Sequence, residues 1–260
     1  MANATFKLHG VHFGYADTPV LSNLDLTFEP GMVHGVVGPN GSGKSTLLAL
    51  LSGHLRPGTG TIHLNDIPLT ALSPATLSRL CALVPQELDF NFPFTVHETV
   101  LMGRHPHIPR LARPTDADYA MVTASIDKMD LDKLHDRVLA DLSGGEKQRA
   151  VVARGLAQET PALLLDEPTS SMDIRHALTT MTELKRLAHT KNRTIIAVLH
   201  DLNLAARFCD RIVMLHKGRV HAQGDVTETL NQDSIETVFR VRAALHETKA
   251  GLQIVYVKEV

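Results

Sequence analysis

Tryptophan is absent from this 260-residue chain, cysteine occurs twice, and aromatic residues make up 4% of it. The two cysteines, Cys81 and Cys209, lie far apart and form no CxxC pair. That pattern argues against a disulfide framework and for a reducing compartment. An excess of one charge is also lacking: 26 Lys and Arg against 28 Asp and Glu give a formal net charge of -2. No basic field therefore points to a nucleic-acid partner. No apolar run approaches the ~20 residues of a membrane-spanning helix. The opening Met1-Ala2-Asn3-Ala4-Thr5 has neither the basic nor the apolar region of a secretion signal. The chain is expected to be cytosolic, with any membrane spans supplied by another subunit. Fifteen histidines are scattered singly apart from His105-Pro106-His107, without finger or HExxH spacing, so no histidine metal centre is expected.

What is present is 43% apolar and 21% charged residues, a soluble globular balance. The length suits one large domain or two closely associated lobes. Leu24, Leu26 and Phe28 alternate with Asp25, Thr27 and Glu29, the period of a half-buried strand. A second apolar run at 32–37 meets a glycine-rich turn, and Leu47, Leu48, Leu50 and Leu51 predict a helix over 44–55. Residues 61–64 resemble another strand. Residues 92–114 are punctuated by proline and histidine, and 118–134 have helix-like spacing, so 87–140 reads as a helical insert. Beyond it, helices over 144–159 and 174–189 alternate with strands at 162–165 and 194–199. Such alternation argues for an α/β fold with a mostly parallel sheet.

Gly38-Pro39-Asn40-Gly41-Ser42-Gly43-Lys44-Ser45-Thr46 fits G-x-x-x-x-G-K-[ST] between a predicted strand and helix. The glycines let backbone N–H groups converge on a polyphosphate, and the helix N-terminus adds partial positive charge. Lys44 would reach the β- and γ-phosphates and Ser45 would ligate Mg²⁺. The alternative is an ordinary glycine-rich turn. Residues 162–167, Ala-Leu-Leu-Leu-Asp-Glu, form an apolar strand ending in two acids. Parallel strands deliver such residues to the ligand-binding edge of the sheet. Asp166 would hold Mg²⁺, and Glu167 would position and polarise water; the alternative is a pair of acids in a solvated turn.

Leu142-Ser143-Gly144-Gly145-Glu146 places a Ser-Gly-Gly turn at a helix start, a second anion cradle that also reads as a capping box. Here the chain resembles the ATP-binding subunits of ATP-binding cassette (ABC) transporters across almost its whole length. The turn is similar to their LSGGQ signature, with Glu146 in place of the final glutamine. The resemblance implies a P-loop NTPase (RecA-like) core with an N-terminal antiparallel β subdomain and an α-helical subdomain. It implies one ABC ATPase domain over 1–260, with 1–86 and 141–260 as the core and 87–140 as the helical subdomain. ATP and Mg²⁺ are the implied cofactors.

The resemblance extends to roles. Ser143, Gly144 and Gly145 would contact the γ-phosphate held by a partner subunit. Tyr15 would stack on adenine, the alternative being an aromatic packed in the β lobe. Gln86 resembles the glutamine that senses Mg²⁺ and water while linking core to insert. Ser171-Met172-Asp173 resembles the D-loop, and His200 the switch histidine at the γ-phosphate. The implied partners are a second copy, head-to-tail, transmembrane permease subunits and, indirectly, a substrate-binding protein. The implied location is the cytoplasmic face of the inner membrane, as a peripheral protein.

The string Gly103-Arg104-His105-Pro106-His107 resembles importers of iron–siderophores, haem and cobalamin. Its alternative is a proline-broken loop with solvated Arg and His. An exporter subunit or a non-transport cassette ATPase is the alternative function.

Overall fold

A computed structural model describes residues 3–16, 18–86, 92–249 and 251–259. β1 (Phe6–Tyr15) and β2 (Thr18–Phe28) pair antiparallel, with Leu24, Leu26 and Phe28 buried and Asp25 and Thr27 exposed, as their alternation predicts. Every residue of β3 (Val33–Val37) is buried. α1 (Lys44–Leu51) ends before the expected residue 55, because Ser52 Oγ turns back to Ala49 O (3.1 Å) and Gly53 is left-handed, at φ 74°. Leu55 still packs on the same core, so the apolar pattern outlasts the helix. β4 (Thr59–Leu64) and β5 (Ile67–Pro68) complete an antiparallel sheet of order β2-β1-β4-β5. α2 (Pro74–Leu80), capped by Ser73, leads into β6 (Cys81–Val84).

The first residues of the expected insert, 87–91, lie outside the described residues. In the remainder, α3 (Val96–Leu101) and α4 (Asp116–Lys128) each open with a complete capping box, Thr95 with Glu98 and Thr115 with Asp118. Both pack on α5 (Gly144–Ala157). α4 stops at Lys128 rather than 134: Asp130 is left-handed (φ 54°), and the Leu131 N–H turns back to Ile126 O (3.2 Å). Met129 and Leu131 remain buried, which kept them in the helical pattern.

Arg104 departs from the solvated alternative. A short 3₁₀ turn, Met102–His107, presses it inward until it is 8% exposed. Its guanidinium donates to Asp118 Oδ1 (2.9 Å) and Ala157 O (2.8 Å), while His107 bonds Gln158 O (2.7 Å). Arg104 and His107 therefore fasten the helical segment to the end of α5. Hydrogen bonds from the Thr115 N–H and hydroxyl, then from Arg104, hold the Asp118 carboxyl down at about 2. A carboxyl depressed in the fold contributes stability above its ordinary titration range and loses it as pH falls toward 2. Asp118→Asn is expected to destabilise the protein by about 2 kcal/mol, since it removes the carboxylate nearest a buried guanidinium and leaves it Ala157 O and the more distant Glu159 (3.6 Å). Thermal melts at pH 7 and near pH 3 check this: the gap between wild type and variant should narrow at the lower pH.

The chain continues through β7 (Ala162–Asp166), α6 (Ile174–Lys191), β8 (Thr194–Val198), α7 (Leu202–Phe208), β9 (Arg211–His216) and β10 (Arg219–Asp225). α8 (Val226–Thr229), α9 (Gln232–Phe239) and a hairpin of β11 (Val241–Thr248) and β12 (Gly251–Glu259) form the tail. The main sheet has the order β10-β9-β3-β8-β7-β6, parallel except for β10. Its strands feed two cores. Leu163, Leu165, Ile195 and Ala197 face one side with α5, α6 and α7, while Leu164, Ile196 and Val198 face the other with α1 and the antiparallel sheet. Burial on both faces explains why these strands read as continuous apolar runs. Among the described residues no helix is long and apolar enough to cross a membrane.

Candidate active site

Strand register assembles the site. Val36 lies beside Val198, Val198 beside Asp166, and Leu165 beside Val84. Two residues further along these strands stand Gly38, His200 and, from β7 and β6, Glu167 and Gln86. Four segments remote in sequence thus meet at the carboxyl edge of one sheet, where open α/β folds bind ligands.

The loop after β3 turns into α1 through Gly43, whose φ of 100° leaves no place for an ordinary side chain. A Cβ there would also strike Leu21. Gly43 offers no side-chain cap, so the first N–H groups of α1 have no side-chain acceptor there. Lys44 Nζ folds over the loop and donates to Gly38 O (2.8 Å) and Pro39 O (3.0 Å). Burial pushes its pKa down, opposed by the carboxylates of Glu167 and Asp166.

Burial pushes the Asp166 carboxyl up, with a hydrogen bond to Ser45 acting against it. Asp166 Oδ1 is buried without a hydrogen-bond partner. A buried carboxylate oxygen in that state, beside a serine hydroxyl, is a donor set that fits a hard cation such as Mg²⁺.

Glu167 occupies left-handed backbone space at φ 49°, a costly conformation for a residue with a side chain. Its N–H bonds Val198 O (3.2 Å), and its carbonyl accepts from the Ser170 N–H (3.3 Å), Ser170 Oγ (3.2 Å) and Gln148 Nε2 (3.5 Å). This turn aims the carboxylate across the sheet edge. Gln86 Nε2 donates to Glu167 Oε2 (2.9 Å), and His200 Nε2 pairs with Glu167 Oε1. A cavity of about 480 Å³ brings Asn40, Gly41, Gly43, Lys44, Ser45, Thr46, Gln86, Glu167 and His200 onto one wall system. Val20, from β2, lines it as well.

Other expected site residues stand outside that cavity. Tyr15, at the end of β1, is 55% exposed and touches Phe13 edge-on at 5.0 Å, so it is not packed into the β lobe. Ser143 caps α5, and Glu146 Oε2 accepts from its N–H (2.8 Å) and hydroxyl (2.7 Å). Glu146 therefore performs the capping function in this otherwise glutamine position. Ser143 and Gly144 are exposed, and a Cβ on Gly145 would sit 2.8 Å from Ser171 O, so the turn packs tightly on the loop after Glu167. Asp173 caps α6, accepting from the His176 N–H (2.9 Å). The sequence reading gave no role to Val20, to Ser170 beside the D-loop or to Gln148 at the end of the signature string. Their contacts depend on sheet packing and on where α5 crosses the loop.

A glycine-rich loop on a helix N-terminus, a lysine, a cation-ready aspartate and a held glutamate together define a P-loop nucleotide hydrolase. A sequence profile described as ABC transporter matches residues 21–170. The cobalamin import ATP-binding protein BtuD of Halobacterium salinarum is 42% identical over 241 residues, covering 93% of this chain. This chain spans only 60% of that relative's length. The hemin import ATP-binding protein HmuV of Rhodopseudomonas palustris is 40% identical over 248 residues, 92% of this chain and 90% of the relative. A solved metal-chelate type ABC transporter in an inward-facing conformation superposes with a TM-score of 0.83 at 29% identity, covering 98% of this chain and 97% of that one. The chain belongs to the ABC transporter family.

Proposed function

We propose that this chain energises import of a metal-chelate compound, an iron–siderophore, haem or cobalamin, through a membrane permease served by a substrate-binding protein. The observation that carries this reading is the likeness, over more than nine-tenths of the chain, to ATP-binding proteins of cobalamin and hemin import. ABC cassettes form dimers. Two copies would close head-to-tail at the cytoplasmic face of the inner membrane, as an isologous pair. Each phosphate loop, residues 38–46, would then face the Ser143, Gly144, Gly145 and Asp173 of its partner. The exposure of Ser143 and Gly144, away from the cavity of their own chain, supports that arrangement. The helical segment around 87–140 would pass the motion to the permease.

Within one site, Lys44 holds the β- and γ-phosphates and Tyr15 covers the adenine. Ser45, Asp166 and Gln86 would hold Mg²⁺, which supplies charge neutralisation on the phosphates. Glu167 orients a water and accepts its proton as the water oxygen bonds to the γ-phosphorus. The bond to the β-phosphate oxygen breaks, leaving ADP and inorganic phosphate, and His200 contacts the γ-phosphate during transfer. Chelation of divalent cations is expected to reduce hydrolysis to background, with recovery on adding Mg²⁺; hydrolysis that persists in excess EDTA contradicts the assignment of Asp166.

The transport reading is tested by co-purifying the chain with a polytopic membrane protein and reconstituting the complex in proteoliposomes. ATP-driven, binding-protein-dependent accumulation of hemin or cobalamin supports import. ATP-driven movement the other way assigns an exporter. ATPase activity with no membrane partner assigns a non-transport cassette.

A further inference from the structure

The C-terminal hairpin has no part in the chemistry described above, yet it reaches the switch histidine. Its first strand packs on α9, and its second lies against α7. Asn203 and the backbone of Ile254 form a two-way clip: Nδ2 donates to Ile254 O (3.1 Å), and Oδ1 accepts from the Ile254 N–H (2.7 Å). Two residues on, and on the same face of β12, Tyr256 sits beside Leu202 and the Asp201 carboxylate, and partial burial and that carboxylate push its phenol up.

A helix leaves its first N–H groups without internal partners. In α7, Asp201 Oδ1 takes those of Asn203 (2.8 Å) and Leu204 (3.2 Å), while the hairpin grips the Asn203 side chain in the same turn. His200 immediately precedes this cap.

A cavity of about 280 Å³ separates His200, Asp201 and Leu204 from Met172 and Ile174 near the start of α6. Leu199 and Leu202 anchor the segment that carries His200 in the core, and the Asn203 clip adds a restraint from the hairpin side.

We infer that the C-terminal hairpin is a positioning element for the switch histidine. Asn203 and Tyr256 hold the first turn of α7, and through it they keep His200 against Glu167. The inference rests on the reading of Glu167 and His200 as the hydrolytic pair. Asn203 and Tyr256 are positioning residues and touch no reacting atom.

The test uses the full chain with Asn203→Ala, Tyr256→Phe and both together. Val257→Ser, on the other face of β12 and 64% exposed, is the control. Steady-state hydrolysis is expected to show kcat lowered about ten-fold in the double variant. KM for ATP should stay within about two-fold, because the phosphate loop is untouched. Amide hydrogen exchange at Leu202, Asn203 and Leu204 should accelerate in the same variants and not in Val257→Ser. Faster exchange with unchanged kcat overturns the inference: the hairpin would then hold the helix without serving the chemistry. An equal kcat loss in Val257→Ser also overturns it, by showing general destabilisation. A wild-type chain without ATPase activity would remove the hydrolytic reading itself, and the positioning role with it.

Discussion

Glu167→Gln is expected to lower kcat for ATP hydrolysis by about 10²- to 10⁴-fold while leaving ATP affinity within a few-fold. The amide has nearly the volume of the carboxylate, and its oxygen still accepts from Gln86. The backbone held by Val198, Ser170 and Gln148 does not depend on the side-chain charge. What disappears is the group that accepts a proton from water. Lys44, Ser45 and the loop that binds the phosphates are unchanged, so binding survives. Equilibrium binding of Mg·ATP, measured beside steady-state turnover, separates the two effects. A variant that keeps kcat within three-fold of wild type would remove Glu167 from the chemistry.

The second large effect tests whether two chains share each site. Lys44→Ala removes the loop cation that grips the phosphates, and Ser143→Arg places a guanidinium on the exposed signature turn. Each variant alone is expected to be nearly inactive, because every site in its dimer is damaged. In a mixed dimer the damage segregates: one site combines the intact loop of the Ser143→Arg chain with the intact signature of the Lys44→Ala chain. Equimolar mixing is expected to recover about a quarter of wild-type activity if half the dimers are mixed and each has one working site. Mixtures that stay folded and inactive would contradict the shared site. So would a Ser143→Arg protein as active as wild type.

Some of this site is legible in sequence because its chemistry is local. A phosphate cradle needs closely spaced glycines, a lysine and a helix N-terminus within nine residues, and 38–46 supply them in order. Asp166 and Glu167 end an apolar strand, and contiguity alone suggests their place at the sheet edge. The capping box at Ser143 follows the same logic, since cap and helix share one short segment. Helix ends were less legible. Leu55, Met129 and Leu131 keep the apolar period but belong to turns, because burial selects for apolar side chains whatever the backbone does.

Arg104 shows the limit most plainly. The alternative reading of Gly103 to His107 leaves Arg104 solvated in a surface loop, yet the arginine is buried against Asp118 and the end of α5. Hydropathy carries no information on whether a charge will find its partner.

By itself, then, the sequence determined the parts: the phosphate loop, the acidic strand end, the signature turn and the histidine after β8, each written in neighbouring residues. Only the tertiary structure decided how they meet. The order β3-β8-β7-β6 and its register bring Gln86 to Glu167 and His200 to the same carboxylate, and packing carries the C-terminal hairpin onto α7. The physical reason is range. Capping and loop geometry act over one turn of chain, whereas strand order and docking are chosen by burial of apolar faces across the whole domain.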